Sequence, residues 1–246
     1  MKRNAGWQRR CTAVARAASV AVCEIITYEY REYYRRKLPH IHHPGATLFV
    51  TFRLAGSIPQ SVIRQWRAEK EWLEQKIEKA ELQIEFHHEW FKKFEDILHQ
   101  SQESPKWLEV ELVTQSVADS LHYRDEKAYQ LDAYCIMPNH VHAVFTPLLK
   151  AESLTPKQTD KGLRFVSDLP DLEAIMHSLK SYTANQANKL LQRSDEFWES
   201  ESYDHWVRDD EEFRRIVKYV LENPVKAGLV SNGGIGNGIM LGIVNF

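Results

Sequence analysis

Residues 129–146 have the sequence YQLDAYCIMPNHVHAVFT, and this stretch decides the expected architecture. Two runs rich in apolar and aromatic residues, 129–136 and 140–146, flank Met137-Pro138-Asn139, which is typical of a turn. The stretch therefore predicts two antiparallel strands joined as a β-hairpin. Side chains two positions apart on a strand point to the same face, so His140 and His142 are expected to lie side by side.

A further strand and three helices are expected around the hairpin. In residues 46–54, apolar and polar side chains alternate with a period of two, which predicts a half-buried strand. Helical periodicity predicts helices from Pro105 to about His122, over 172–191 and over 209–223. Acidic residues favour the start of the last helix, and Pro224 is expected to end it.

Residues 60 to about 102 are expected to form a long helical arm inserted into the domain. Neither glycine nor proline occurs from Gln60 to Gln100, and apolar residues recur at alternating spacings of three and four between Ile63 and Leu98. This heptad pattern predicts a long helix or a helical hairpin that packs on a second copy or on the body of the same chain.

Four stretches outside these elements have weaker patterns. Residues 149–170 are expected to be a polar connector, and residues 197–206 to be irregular or a short strand. Residues 1–27 are expected to form an N-terminal extension with little fixed structure. A signal peptide is the alternative there, but Arg16 interrupts the apolar run that it needs. Residues 231–246 form a glycine-rich tail.

Composition limits the classes of function. The chain has 246 residues, 43% of them hydrophobic, which is enough to bury the core of one sizeable domain or two small ones. Its 32 Lys and Arg nearly balance 34 Asp and Glu, so a nucleic-acid partner has to be recognised by a local site. Three separated cysteines without a CxxC argue against a disulfide framework and a zinc ribbon. We expect a cytoplasmic protein without membrane contact.

The pair His140 and His142 is a candidate metal site, because two convergent imidazoles are a common start for one. The alternative is a pair of histidines that only form hydrogen bonds at a sheet surface. His40 and His42 have the same spacing in a basic and aromatic segment, where a loop or a DNA-facing strip is the stronger interpretation.

Tyr219 and Asn223 are the second candidate pair. Their spacing of four places a phenol and an amide on one face of a helix, where they could supply a nucleophile and an oxygen ligand. Tyr219 could equally be a packing residue of its own helix. Tyr182 and Gln186 repeat the spacing on the preceding helix, so spacing alone does not choose between the two pairs.

Several motifs taken together closely resemble those of the REP-associated tyrosine transposases, a group of single-tyrosine transposases in the HUH endonuclease superfamily. The similarity covers roughly Tyr33 to Leu54 and Lys127 to Val230, in the family's order. The motifs that carry it are Tyr134-Cys-Ile-Met-Pro-Asn-His-Val-His142, Leu179-Lys-Ser-Tyr182, Phe197-Trp198, Tyr203-Asp-His205 and Lys218-Tyr-Val-Leu-Glu-Asn-Pro-Val-Lys-Ala-Gly-Leu-Val230.

The resemblance implies an α+β fold for residues 28–230, an antiparallel sheet with helices on one face, similar to ferredoxin-like and RRM-like folds. It implies that His140, His142 and Asn223 hold a divalent metal, Mg²⁺ or Mn²⁺, and that Tyr219 is the catalytic tyrosine. The implied activity is cleavage and transfer of single-stranded DNA beside hairpins through a 5′-phosphotyrosine, by a monomer or a homodimer.

Further basic, aromatic and imidazole side chains are candidate DNA contacts. They are Tyr33, Tyr34, Arg35, Arg36, Lys37, Lys180, Tyr182, His205, Arg215 and Lys218. For the segment around Arg35, a solvated basic stretch is the alternative. Because residues 231–246 depart from the family's pattern, a DNA-hairpin binder without catalysis is the second hypothesis. A structural or interaction protein that binds metal is the third.

Overall fold

A computed structural model describes residues 33–35, 39–41, 45–65, 68, 91–99, 104–148, 154–159, 162–167, 172–229 and 240–243. The strands are β1 (Tyr33–Arg35), β2 (Pro39–Ile41), β3 (Leu48–Leu54), β4 (Tyr129–Ile136), β5 (His140–Pro147), β6 (Leu154–Thr159), β7 (Gly162–Ser167), β8 (Trp198–Trp206) and β9 (Met240–Ile243). The helices are α1 (Glu111–Arg124), α2 (Leu172–Leu190) and α3 (Asp210–Lys226), with a 3-10 turn at Trp107–Glu109. Residues 60–65 and 91–99 are also helical.

The centre of the fold is a five-stranded sheet in the order β8-β3-β5-β4-β9, and every neighbouring pair in it is antiparallel. The predicted hairpin is confirmed as β4 and β5, with Ile136 paired to Val141. On its other side β5 pairs with β3, which places Thr51 opposite His142. The predicted α+β class with an antiparallel sheet is therefore confirmed.

Helices cover both faces of this sheet, not the single face that was expected. On one face, Val141, Ala143 and Phe145 of β5 join a core with residues of α1 and α2. On the other face, Val144 packs with Val217 of α3. This arrangement buries all seven residues of β3, whereas its alternating sequence predicted a strand buried on one side only.

Three stretches contain more regular structure than their patterns predicted. The expected connector at 149–170 contains β6 and β7, which pair with each other. Residues 198–206 form a full strand of the main sheet. The glycine-rich tail contributes β9, in which Gly242 lies opposite Tyr134. A Cβ at Gly242 would overlap the Tyr134 ring, so this pairing requires a glycine.

Helix α3 begins as predicted but does not end where predicted. The Asp209 side chain caps it by accepting a hydrogen bond from the Glu212 backbone N–H at 2.7 Å. The helix continues beyond Asn223 to Lys226 with Pro224 inside it. Proline removes one backbone donor, yet the Ala227 N–H still bonds to the Asn223 carbonyl at 2.9 Å. Helix α3 therefore extends by about one turn beyond the predicted end at Asn223.

Of the predicted arm, residues 60–65 and 91–99 are described, and both are helical. Ile63, Phe94 and Leu98 pack together with Ile58, so the two described ends of the predicted arm meet. The expected N-terminal extension at 1–27 lies outside the described residues. Within the described part of the chain, no helix has the length and apolarity needed to cross a membrane.

Candidate metal and tyrosine site

The two histidines of β5 lie at the buried centre of the sheet face that carries α3. Both are fully buried, and their Nε2 atoms are 3.0 Å apart. Two ligands at right angles around an octahedral ion, each about 2.1 Å from it, lie about 3 Å apart. The histidine pair is therefore spaced as two ligands of one ion would be.

The hydrogen bonds of Asn139 determine which nitrogen of His140 carries the proton. The Asn139 amide nitrogen donates to the Leu98 carbonyl and to Ser104 Oγ, each at 2.9 Å, so its Oδ1 faces His140. Oδ1 lies 2.6 Å from His140 Nδ1 and can only accept. His140 Nδ1 therefore donates, which leaves the lone pair of the neutral ring on Nε2.

Thr51 holds the ring of His142 in the same way from the neighbouring strand. Thr51 Oγ1 lies 2.8 Å from His142 Nδ1, and the residues are cross-strand partners. Phe49 stacks on the other side of this ring, with the ring centroids 5.6 Å apart. These contacts direct His142 Nε2 towards His140, as partners of metal-ligating histidines generally do.

A carboxylate that the sequence patterns did not single out completes the cluster. Glu95, in the helical residues 91–99, places its Oε2 at 3.2 Å from His142 Nε2 and 3.9 Å from His140 Nε2. His99, one turn later, lies with its Nε2 3.8 Å from the same oxygen. Glu95, His99 and His140 form a group whose ligand atoms all lie within 4.8 Å of one another, and such a group could hold a metal ion.

The pKa values of the cluster favour a negative carboxylate beside a neutral imidazole. Burial by itself raises the pKa of Glu95, but the charge and hydrogen bond of His142, the charge of His140 and the hydrogen bond of Tyr219 outweigh it and lower that pKa to about 2. Burial, reinforced by His142, holds the pKa of His140 well below its usual 6.5. At neutral pH the cluster thus carries an anion and a ligand-competent imidazole.

Helix α3 brings both members of its tyrosine and amide pair to this cluster. The Tyr219 hydroxyl donates to Glu95 Oε2 at 2.7 Å, and its ring lies 5.7 Å from that of His142. Asn223 is fully buried, with Nδ2 3.1 Å from His142 Nε2 and Oδ1 2.9 Å from His99 Nε2. Burial raises the pKa of Tyr219, and the Glu95 carboxylate raises it further.

These side chains fit a cation because more hydrogen-bond acceptor atoms than donor protons meet at the centre of the cluster. His140 Nε2, His142 Nε2 and Glu95 Oε2 face one another, and a proton on His142 Nε2 could serve only one contact at a time. The other carboxylate oxygen, Oε1, is buried and has no hydrogen-bond partner among the described residues. A buried carboxylate oxygen without a partner is costly, and a divalent cation would provide that partner.

An aromatic wall lines the site on the side of Tyr219. Phe91 packs on Tyr203 with centroids 4.5 Å apart, and both contact Phe49. Phe91 also lies 6.0 Å from the Tyr219 ring. The beginning of the helical stretch 91–99 therefore packs against the tyrosine, and its later turns carry Glu95 and His99 to the histidines.

The structure describes the side chains of five further predicted DNA contacts, Lys180, Tyr182, His205, Arg215 and Lys218. Lys180 donates to three backbone carbonyls of β8, His205 pairs with Glu212 at 3.0 Å, and Tyr182 is half-exposed on α2. Arg215 and Lys218 are exposed on α3. The side chains of the remaining candidates lie outside the described part of the structure; these are Tyr33, Tyr34, Arg35, Arg36 and Lys37. The same holds for the second histidine pair, His40 and His42.

Glu95 and His99 had a recognisable signal in the sequence. They stand four residues apart, so they lie on one helix face, next to Phe94 and Leu98 of the heptad seam. A carboxylate and an imidazole one turn apart beside a buried seam are candidate ligands. Lys226 was also missed; its Nζ lies 5.4 Å from the centre of the Tyr219 ring.

Comparison with known proteins gives little direct identification. No family model matches the chain, and no curated protein matches it. A solved structure of a REP-associated tyrosine transposase bound to a REP hairpin is similar at a TM-score of 0.40 and 15% identity, over 80% of this chain and 74% of that chain. Similarity at this level establishes neither family nor function, so the function has to be inferred from the site itself.

Proposed function

We propose that this protein cleaves and rejoins single-stranded DNA beside hairpin structures, using a divalent metal and Tyr219 as the nucleophile. The observation that carries the proposal is the position of the Tyr219 hydroxyl. It lies 2.7 Å from Glu95 Oε2, which in turn contacts Nε2 of both buried histidines. A nucleophilic oxygen beside a metal-binding cluster is what phosphoryl transfer to tyrosine requires.

His140 and His142 would hold the ion through Nε2, since their Nδ1 atoms are engaged by Asn139 and Thr51. Asn223 would add an oxygen after its amide rotates by half a turn, because its nitrogen now faces His142. A divalent ion bound there supplies a Lewis acid that polarises a phosphate oxygen and offsets the charge developing during transfer.

The proposed reaction exchanges one phosphodiester for another, so it needs no external energy source. The Tyr219 oxygen forms a bond to phosphorus and loses its proton to solvent. The bond from phosphorus to the 3′ oxygen breaks, and that oxygen takes up a proton as a free 3′-OH. In strand transfer, a second DNA 3′-OH attacks the same phosphorus, and the phenol of Tyr219 is the leaving group.

Two features of the site suit a DNA phosphate approaching from solvent. Tyr219 is half-buried and the His99 side chain is 22% exposed, so the cluster reaches the surface on their side. Lys226 lies near the Tyr219 ring, while Arg215 and Lys218 are exposed on the same helix. These cations can neutralise phosphates locally although the chain as a whole carries a charge of −2.

The proposal is tested with an end-labelled hairpin oligonucleotide that has single-stranded flanks. With Mn²⁺ we expect a protein–DNA adduct that survives denaturation, together with a product ending in a free 3′-OH. EDTA should prevent both. In Tyr219→Phe the adduct should fall at least about 1,000-fold, because the nucleophile is lost. A normal adduct in that variant would exclude Tyr219 as the nucleophile.

The alternative is a hairpin-binding protein without catalysis. It is favoured by the high pKa of Tyr219, since a phenol that keeps its proton is a weak nucleophile. The same assay separates the two functions. Retention of the hairpin with no adduct in Mn²⁺ or Mg²⁺ supports the binder, and a covalent product supports the nuclease.

A further inference from the structure

We infer that Glu95, carried by the helical residues 91–99 of the predicted arm, is itself a protein ligand of the metal ion. This inference rests on the proposed function and deepens it. It extends the metal centre beyond the two strand histidines and Asn223 to a separate part of the chain. The arm would then be held to the sheet through the ion as well as through packing.

The first argument is the position of the carboxylate. Oε2 of Glu95 is 3.2 Å from His142 Nε2 and 3.9 Å from His140 Nε2, on the lone-pair side of His140. Its second oxygen, Oε1, is buried without a hydrogen-bond partner in the described part of the chain. A carboxylate can bind an ion through either oxygen or through both. An ion between Glu95 and the histidines would therefore account for the position of Oε2 and for the unpartnered Oε1.

The second argument excludes a purely structural ion pair with His140. Such a pair needs a protonated imidazole, but His140 is fully buried and its Nδ1 proton is directed to Asn139. The distance of 3.9 Å between His140 Nε2 and Glu95 Oε2 is also too long for a hydrogen bond. Glu95 is itself only 4% exposed, so water cannot supply the missing stabilisation. A divalent cation can supply it.

His99 is a weaker candidate than Glu95, although both lie on the same helix face. His99 Nε2 lies within hydrogen-bonding distance, 2.9 Å, of the Asn223 amide, and it stays engaged by that amide whichever of the two amide atoms faces it. The role that fits His99 is to orient the Asn223 amide. Glu95 Oε2 accepts from the Tyr219 hydroxyl at 2.7 Å and faces His142 Nε2 at 3.2 Å, whereas its second oxygen, Oε1, has no hydrogen-bond partner among the described residues.

A carboxylate ligand would also select the kind of ion. Two imidazoles and a neutral amide form a site of mixed preference, and adding an anionic oxygen favours hard divalent ions such as Mg²⁺ and Mn²⁺. Because the same oxygen accepts from Tyr219, the arm would fix both the ion and the nucleophile. The arm then belongs to the proposed active site and is more than a packing element.

The test is isothermal titration of the full-length protein with MnCl₂ in the absence of DNA. Glu95→Gln keeps the shape of the side chain and removes its charge. We expect its Mn²⁺ affinity to fall at least about tenfold, because even partners outside the ligand sphere cost that much. Asp96→Asn is the matched control. It removes one negative charge from the adjacent, exposed residue of the same helix and should bind Mn²⁺ like the wild type.

A second measurement covers the case in which Glu95→Gln folds poorly. In Glu95→Asp the carboxylate is retained but withdrawn by one methylene, and Mn²⁺ should raise the melting temperature of this variant less than that of the wild type. Wild-type affinity in a folded Glu95→Gln, or an unchanged melting shift in Glu95→Asp, overturns the assignment of Glu95. If the wild type forms the adduct and Glu95→Gln binds Mn²⁺ with wild-type affinity, only the assignment of Glu95 is refuted and the proposed function stands. Failure of the wild type to bind Mn²⁺ refutes the metal-dependent function as well.

Discussion

Helices α2 and α3 carry the same pair of functional groups at the same spacing, and only one pair lies in a site. On α3, Tyr219 donates to Glu95 and Asn223 lies 3.1 Å from a histidine nitrogen. On α2, Tyr182 is 50% exposed, and the guanidinium of Arg124 lies 5.9 Å from its ring. Gln186 and Tyr182 line the same surface pocket. The spacing places two groups together, but the partner surface decides what they can do.

The partner surfaces differ because the strands alternate. Helix α2 packs on α1 and on the sheet face that presents Val141 and Ala143. Helix α3 packs on the opposite face, where the alternate residues His140 and His142 point. A helix with a tyrosine and an amide can become part of a metal site only on the second face.

Helix α3 is also anchored so that its functional face cannot rotate away. Glu212 precedes Tyr219 by seven residues, which is two turns, so both lie on one side of the helix. Its carboxylate accepts from the Arg208 side chain at 2.6 Å and faces His205 of β8 at 3.0 Å. These contacts fix the rotation of α3 about its own axis. Tyr219 is thereby directed at Glu95.

The largest expected difference between the two helices is catalytic. Asn223→Ala removes the amide that contacts His142 and should reduce the rate of adduct formation by about 100-fold, the upper range for groups that support a metal site. Gln186→Ala, with or without Tyr182→Phe, should change that rate less than twofold. Single-turnover adduct assays in saturating Mn²⁺ measure both rates. If the α2 variants lose as much activity as Asn223→Ala, the distinction between the helices is wrong.

The sequence was sufficient for the part of the site that lies on regular, strongly patterned elements. Period-two alternation placed His140 and His142 on one face, and helical spacing placed Tyr219 with Asn223. The resemblance then chose this pair over Tyr182 and Gln186, and the structure places Tyr219 and Asn223 next to His142. The position of these four residues in one cluster is a property of the fold. Their roles in metal binding and catalysis stay predictions.

The contribution of the arm could not be predicted, because it depends on contacts between residues far apart in sequence. Glu95 lies 124 positions from Tyr219, and no local pattern indicates which sheet face residues 91–99 cover. Pro224 was overinterpreted for a different reason. A proline removes one backbone hydrogen bond but leaves the donors of the residues after it in place, and the Ala227 N–H still bonds to the Asn223 carbonyl. Here Asn223 and Pro224 are both buried, and the helix continues for another turn.

The hydroxyl group of Thr51 allows a test of one contact on the sheet face that carries the histidines. Thr51→Val removes the partner of His142 Nδ1 while keeping the shape, so the ring loses the contact that orients Nε2. Mn²⁺ affinity should fall by about tenfold, as for other partners of metal-bound histidines. Calorimetric titration measures the effect.

Thr183 of α2 is the matched control for Thr51. It is equally buried, and its hydroxyl accepts from the Trp198 ring N–H at 2.8 Å. Thr183→Val should cost about 1–3 kcal/mol of stability, because it leaves the buried Trp198 N–H without this acceptor, and it should leave Mn²⁺ affinity unchanged. An equal loss of affinity in both variants would mean that the effect comes from general destabilisation.

The anchor of α3 should appear in the dependence of stability on pH. Burial by itself raises the pKa of Glu212, but hydrogen bonds from Arg208 and the charge and hydrogen bond of His205 outweigh it and lower that pKa to about 2. Because its unfolded value is near 4.5, Glu212 stabilises the fold above that pH and loses this effect as pH falls towards 2.

Glu212→Gln tests this anchor. Loss of a hydrogen-bonded charge should lower the free energy of unfolding at pH 7 by about 1–2 kcal/mol. The gap between variant and wild type should narrow below pH 4.5, where the wild-type carboxylate begins to lose its advantage. Urea unfolding at several pH values measures it. A gap that stays constant down to pH 2.5 would show that charge is not what anchors the helix.

The smallest expected effect concerns the exposed cations of α3. The side chains of Arg215 and Lys218 are 61% and 73% exposed and pair with Glu211 and Glu222 of their own helix. Such pairs are weak, so the cations can exchange to DNA phosphates at little cost. Arg215→Ala and Lys218→Ala together should weaken hairpin binding a few-fold and reduce the salt dependence by about one to two phosphate contacts. Lys189→Ala on α2 removes an equally exposed charge far from Tyr219 in sequence. In fluorescence anisotropy titrations, this variant should leave the hairpin affinity and its salt dependence unchanged. A loss as large as that of the α3 variant would mean that DNA follows α2 instead of α3.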